Sequence, residues 1–122
     1  MAEITVTGVS DWISRGVMRT IWANFNSTGN GTQLEAPNLP DKTVTVYGTY
    51  VSGGATVLIQ GSEVGGTGLW FTLNDPSQNA LSIATGKTEQ ILENPRYIRP
   101  RMSAQASTTS LNIVIISQST RR

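Results

Sequence analysis

Hydrophobic positions along this chain recur with a period of two, in short runs separated by small and turn-forming residues. That period belongs to strands with one face buried. The stretch from Thr43 to Thr72 carries it most clearly. In TVTVYGTYV, Val44, Val46 and Tyr50 share one face, with Thr45, Tyr47 and Thr49 on the other. In ATVLIQGS, Val57 and Ile59 oppose Thr56, Leu58 and Gln60. Between the runs lies Ser52-Gly53-Gly54, which can supply the positive φ values of a tight reversal. The pattern therefore predicts that the two runs pair as an antiparallel hairpin.

The same reading, taken in chain order, predicts a first strand over Glu3–Ser10 and a connection over Asp11–Gly16 with one helical turn capped by Ser10 or Asp11. Val17–Asn26 alternates, with Val17, Ile21, Ala23 and Phe25 on one side and Thr20, Trp22 and Asn24 on the other. Ser27–Pro40 is the longest irregular stretch, and is either a contact element or an ordered crossover between sheets. Gly61–Gly68 is a turn into Leu69–Leu73, Asn74–Asn79 a second turn, and Ala80–Ile83 a short extended piece. Thr85-Gly86-Lys87 turns the chain into Thr88–Glu93. Arg96–Ser103 is extended, and Pro100 restricts it to an edge or a bulge. Gln105–Thr109 is a polar loop. Ser110–Ser117 is apolar on both faces, which suits a central strand under a loop or an outer face that meets another subunit. The tail Gln118–Arg122 is polar and expected to fray. About eight short strands with evenly spaced turns specify an all-β fold, a two-sheet antiparallel sandwich or a closed barrel. The early crossover suits a Greek-key, jelly-roll-like connection better than a meander.

Composition narrows the function. A chain of 122 residues predicts one domain, 1–122. It has no cysteine and no histidine, which removes the Ser-His-Asp and Cys-His mechanisms and the common zinc constellations. Nine basic against eight acidic residues leave little long-range attraction for nucleic acid or anionic membrane. Met1-Ala2-Glu3 lacks the basic flank and apolar core of a secretion signal, so synthesis in the cytoplasm is expected. The sequence calls for no cofactor and no metal.

Several local motifs have plain readings. Gly86-Lys87-Thr88 resembles the end of a phosphate loop, but Leu81 stands where the first glycine belongs and a strand follows. Asp75 with Asn79 reads as an Asx-turn, because a calcium site gathers several carboxylates. Asp41, Glu63, Glu89 and Glu93 lie apart, with nothing to single out an acid–base pair. The strongest polar signal is RYIRPR: alternation puts Tyr97, Arg99 and Arg101 on one face and Arg96, Ile98, Pro100 and Met102 on the other. Arginine with tyrosine is the composition of protein–protein interfaces; the bland reading pairs these arginines with Glu93 or Glu89.

The order of landmarks also resembles a known family. Gly48-Thr49, Gly61-Ser62, Trp70 with Leu73, Asn74-Asp75-Pro76, Asn79-Ala80-Leu81-Ser82 and Glu93-Asn94-Pro95-Arg96-Tyr97-Ile98-Arg99-Pro100, closing on an apolar strand, resemble the small decoration (cement) proteins of tailed-bacteriophage capsids. The likeness spans Val17 to Ser117. The family's short acidic turn before the tryptophan is replaced here by the longer Gly61–Gly68. The resemblance implies a jelly-roll-like sandwich, no enzyme activity, and a place on the outer capsid surface of the virion, bound to the major capsid protein as a dimer or trimer. It carries over no contact residues. From the residues themselves, Trp12, Arg15, Arg19, Tyr97, Arg99 and Arg101 are the expected partner contacts. The competing expectations are a carbohydrate-binding module, using exposed Trp12, Trp22 or Trp70, and a tail or neck component of the same particle.

Overall fold

The computed structural model describes residues 3–49, 55–104 and 109–119. Among them there is no helix, and twelve strands replace the eight expected. They are β1 (Ile4–Val6), β2 (Gly8–Ser14), β3 (Val17–Phe25), β4 (Gly29–Gly31), β5 (Leu34–Glu35), β6 (Asp41–Thr49), β7 (Thr56–Ser62), β8 (Phe71–Thr72), β9 (Ser82–Ile83), β10 (Lys87–Ile91), β11 (Tyr97–Ala104) and β12 (Ser110–Gln118). Seven form one sheet in the order β1-β4-β11-β7-β8, with β5 against β11 and β9 against β7. The other five run β10-β6-β12-β3-β2. All pairings are antiparallel except β1 with β4.

The buried faces of both sheets contribute to one core. Val44 and Val46 of β6 lie opposite Ile115 and Ile113 of β12, and these side chains are fully buried together with Val57 and Ile59 of β7 and Ile98 and Met102 of β11. Period-two alternation thus places the core as expected.

The expected hairpin does not form. β6 is flanked by β10 and β12, and β7 by β11, β8 and β9, so the two runs belong to different sheets. Both have their hydrogen-bonding edges filled by strands other than each other. The Ser52-Gly53-Gly54 turn itself lies outside the described residues, as do 105–108 of the predicted polar loop and 120–122 of the tail. Gln118 pairs with Asp41 and Val17, and Ser119 N–H donates to Gly16 O, so the start of the predicted frayed tail is bonded.

Two N-terminal expectations also change. Glu3–Ser10 is not one strand: β1 joins the seven-stranded sheet and β2 the other, with the switch at Thr7-Gly8. Gly8 passes so close over Trp22 that a Cβ would lie 2.6 Å from the indole nitrogen. Asp11–Gly16 is not a helical turn; β2 continues to Ser14 and turns at Arg15-Gly16 into β3, where Gly16 takes φ +74°. Within β3 the faces are also redistributed. Thr20 and Trp22 point inward, then two residues of β3 oppose one of β12, with Asn24 at φ +58°. That bulge advances the phase by one residue and returns Phe25 to the core. Trp22, wholly buried, donates its indole N–H to Thr32 O at 3.0 Å.

The stretch from Ser27 to Pro40 is an ordered crossover carrying β4 and β5, with Leu34, Ala36 and Leu39 buried. Its clasp is Lys42, only 1% exposed. The ammonium donates to Ala36 O (2.9 Å), Leu39 O (2.7 Å) and Asn94 Oδ1 (2.6 Å), and Asn94 Nδ2 donates to Pro37 O. All three ammonium protons are therefore placed. Burial pushes the Lys42 pKa down to about 8.

Candidate functional site

β11 holds the first set of predicted contact residues. Its alternation is kept: Ile98, Pro100 and Met102 are buried, while Tyr97, Arg99 and Arg101 lie half-buried on the outer face. The strand is nevertheless central, and its register shift falls between Met102 and Ala104, so Pro100 marks neither the edge nor the bulge it had suggested. β7 pairs along one side; on the other, β5 takes Tyr97–Ile98 and β4 takes Arg101–Met102. Arg99 and Pro100 fall in the gap between β5 and β4. No strand there asks for the N–H that proline lacks, so the rule that bars proline from ladders is respected locally.

On this face the arginines are held by partners that alternation could not reveal. Arg101 grips Glu3 with both guanidinium ends (3.1 and 2.7 Å) and donates to Asn30 Oδ1 at 3.0 Å. The hydrogen bond to Arg101 holds the Glu3 carboxyl below its usual pKa and raises that of Arg101. Arg96 pairs with Glu35 at 2.8 Å and lies 5.2 Å from the Tyr97 ring centre. Neither Glu93 nor Glu89 serves these arginines: Glu93 accepts from Asn74 N and Nδ2, and Glu89 pairs with Lys87.

Arg99 differs. Its guanidinium stacks 4.1 Å from the Trp70 ring centre, and its Nε donates to Gln60 Oε1 at 3.0 Å. No carboxylate pairs with it among the described residues. Burial, and then the nearby Arg101 charge, hold it below its ordinary pKa. Trp70 is fixed in turn by its N–H to Gly66 O (3.1 Å), and Gly66 N–H donates to Gln33 Oε1. The result is a rigid cation with donors left over for an acidic group, a suitable anchor for protein recognition.

The second set, Trp12, Arg15 and Arg19, lies on the β2–β3 hairpin of the other sheet, so the six predicted residues form two patches and not one. Trp12 is 64% exposed, and Arg15 occupies the exposed turn. Arg19 faces Asp11 across the ladder, 3.8 Å away, an exposed pair of little energetic weight. Between Trp12 and Ser14 the register shifts, with Ile13 the extra residue and also exposed.

A third feature was not predicted. Val64, Leu69 and Phe71 are exposed beside buried Leu73 and line a depression of about 450 Å³, closed by Glu63, Glu93 and Pro95. The alternation of Leu69, Phe71 and Leu73 gave the shared face but not its direction; only Leu73 reaches the core. The usable signal was Val64 inside an otherwise polar glycine-rich turn.

Of the minor motifs, Asp75 is an Asx-turn, its Oδ1 accepting from Ser77 N and Asn79 N. Gly86-Lys87-Thr88 is a turn into β10. No group of three or more metal-ligating side chains occurs among the described residues. No protein-family model matches the chain, and no curated protein matches it.

Proposed function

We propose that this chain is a structural protein of a tailed-phage virion, a jelly-roll-like sandwich that binds the outside of the capsid and bridges major capsid protein subunits. The observation that supports this best is the Arg99–Trp70 stack on the outer face of β11, flanked by Tyr97 and Arg101. It is a preorganised patch of the residue types that anchor protein interfaces, with Arg99 on a central strand and Trp70 tied to Gly66 by its indole N–H, so little entropy is lost on docking. The resemblance in landmark order points the same way. A protein that binds only the assembled lattice stabilises that lattice by mass action. Many copies, each touching more than one subunit, gain avidity from modest contacts. In this reading the chain is made in the host cytoplasm, has no catalytic role, binds neither nucleic acid nor membrane, and assembles as a homo-oligomer.

The test is occupancy. Purified protein added to capsids that lack it should co-sediment, and Arg99→Ala with Arg101→Ala should reduce the bound fraction at least tenfold. Unchanged occupancy removes the β11 face from the interface; failure of the unaltered protein to bind any shell, with density at a tail or neck in intact particles, moves it there. One observation favours the carbohydrate reading: Trp12 is the tryptophan left open, because Trp22 is buried and the Trp70 ring carries Arg99. Specific signals on a glycan array, lost in Trp12→Ala, would select that alternative.

A further inference from the structure

The apolar depression and the β2–β3 hairpin have complementary chemistry. The depression offers Val64, Leu69 and Phe71, each at least 66% exposed, and its charged lining residues are both acidic, Glu63 and Glu93. Glu93 spends both oxygens on Asn74, while Glu63 has no ion pair among the described residues. The hairpin offers Trp12 and Ile13, 64% and 52% exposed, followed directly by Arg15, which likewise lacks an ion pair among the described residues. An apolar pair trailing a cation matches an apolar trough with an anion on its rim, Glu63, whose charge acts on Arg96 of the same chain without forming an ion pair with it.

The topology decides whether one molecule can satisfy both. β2 ends the five-stranded sheet on one side and β10 on the other. Glu93–Pro95 follow β10, and Leu92 N–H donates to Asn74 O, so the trough lies at the β8/β10 edge, across the molecule from the hairpin. Register also fixes their height. Trp12 is level with Met18, Ser117, Lys42 and Ile91 in turn across the sheet. Lys42 is bonded to Asn94 of the trough. Four strand spacings, about 19 Å, separate the two surfaces, so the hairpin cannot reach its own trough.

We infer that a second copy of this chain fills the trough, the Trp12-Ile13 hairpin of each copy seating on Leu69 and Phe71 of the next, with Arg15 against Glu63. The contact is heterologous, head to tail. Donor and acceptor on opposite edges rule out a reciprocal pair, so each contact adds a further copy, and the rotation between successive copies sets whether the series closes into a ring. This deepens only the homo-oligomer part of the reading above and rests on it there. Its test uses free protein without capsids, so failure here is distinguishable from failure of shell binding.

Two surface variants separate the halves of the contact: Trp12→Ser with Ile13→Ser, and Leu69→Ser with Phe71→Ser. Because these side chains are exposed, circular dichroism of both variants should match the unaltered chain. In light scattering the unaltered chain should be an oligomer. Each variant alone should be at least tenfold weaker in self-association. An equimolar mixture should form dimers and stop there, since only one intact hairpin and one intact trough remain. Arg15→Glu should weaken the oligomer, and Glu63→Arg in the same chain should restore it. The chain has no cysteine, so mixing Ile13→Cys and Leu69→Cys proteins under mild oxidation should give the mixed disulfide in at least fivefold excess over either self-linked species. A monomer at concentrations up to about 1 mM, the weak end of specific association, would overturn the inference. So would variants that self-associate as before, or a mixture that stays monomeric.

Discussion

Replacing Lys42 with methionine tests how this fold is held at the base of its crossover. Two effects of opposite sign meet there. The ammonium makes three short bonds, to Ala36 O, Leu39 O and Asn94 Oδ1, which favour its charged form. Burial disfavours that form and outweighs them, bringing the pKa from 10.5 to about 8. Below pH 8 the lysine is protonated in both the folded and unfolded chain, and its contribution does not vary. Between pH 8 and 10.5 the unfolded chain keeps a proton that the folded chain has lost, so stability rises with pH. At about 1.4 kcal/mol per pH unit, the full rise is about 3 to 4 kcal/mol. Above 10.5 both states are neutral and the curve flattens.

Lys42→Met removes this rise and leaves the Ala36 and Leu39 carbonyls without their donor, at about 1–3 kcal/mol each. Removing a buried charge offsets part of that. The variant should therefore be less stable by about 2–4 kcal/mol at pH 7. The gap should widen by up to about 3 kcal/mol as pH approaches 10.5. Urea unfolding of both proteins at intervals from pH 7 to 10.5 measures it, since whatever the two proteins share cancels in the difference. A gap that narrows with pH would mean that the three acceptors outweigh burial. A variant as stable as the parent at pH 7 would refute the clasp itself.

Three further substitutions probe the packing. Ser117 is fully buried and its hydroxyl has no partner among the described residues, so Ser117→Ala should raise stability by about 1 kcal/mol, read as a higher urea midpoint with unchanged slope. Gly29 has φ +149°, and a Cβ there would run into the Ile4 carbonyl; Gly29→Ala should cost about 2 kcal/mol or more and detach β1, visible as lost hydrogen-exchange protection at Ile4 and Thr32. Trp22→Phe should cost about 2–3 kcal/mol by removing both the indole bond to Thr32 O and packing volume, measured as a lower melting temperature with native far-ultraviolet dichroism.

What the sequence made legible was the inside of β6, β7 and β12. Val44 and Val46, Val57 and Ile59, and Leu111, Ile113 and Ile115 all point where alternation put them, because burial of one face leaves a period-two trace in any strand. Which strand pairs with which leaves no such trace. The Gly53-Gly54 signal spoke only of local chain reversal, whereas the partners of β6 were set by β12, whose hydrophobic face matches it along nine residue pairs. The bulge at Asn24 escaped notice for a related reason. A single left-handed residue inverts the phase downstream, and asparagine adopts that conformation without announcing it. At the candidate site, the outward set of Tyr97, Arg99 and Arg101 was readable. Their partners Glu3, Gln60 and Trp70 are brought in by other parts of the chain and were not.

The two sheet edges also explain why side chains, and not backbone, would make the contacts proposed here. An open strand edge invites another strand, and folded proteins block this with charges, bulges or brevity. β2 carries Asp11 and the extra residue Ile13 along its length, so a flat strand cannot align beside it over more than a few residues. β8 has only two residues and ends in the Asn74–Ala80 bridge, which leaves too little ladder to extend. Yet both edges expose large apolar groups, Trp12 and Ile13 on one and Leu69 and Phe71 on the other. A molecule that protects its edges against pairing while keeping such side chains in water retains one mode of association at those places: insertion of side chains into a shaped surface, which can be specific and self-limiting where strand addition is not.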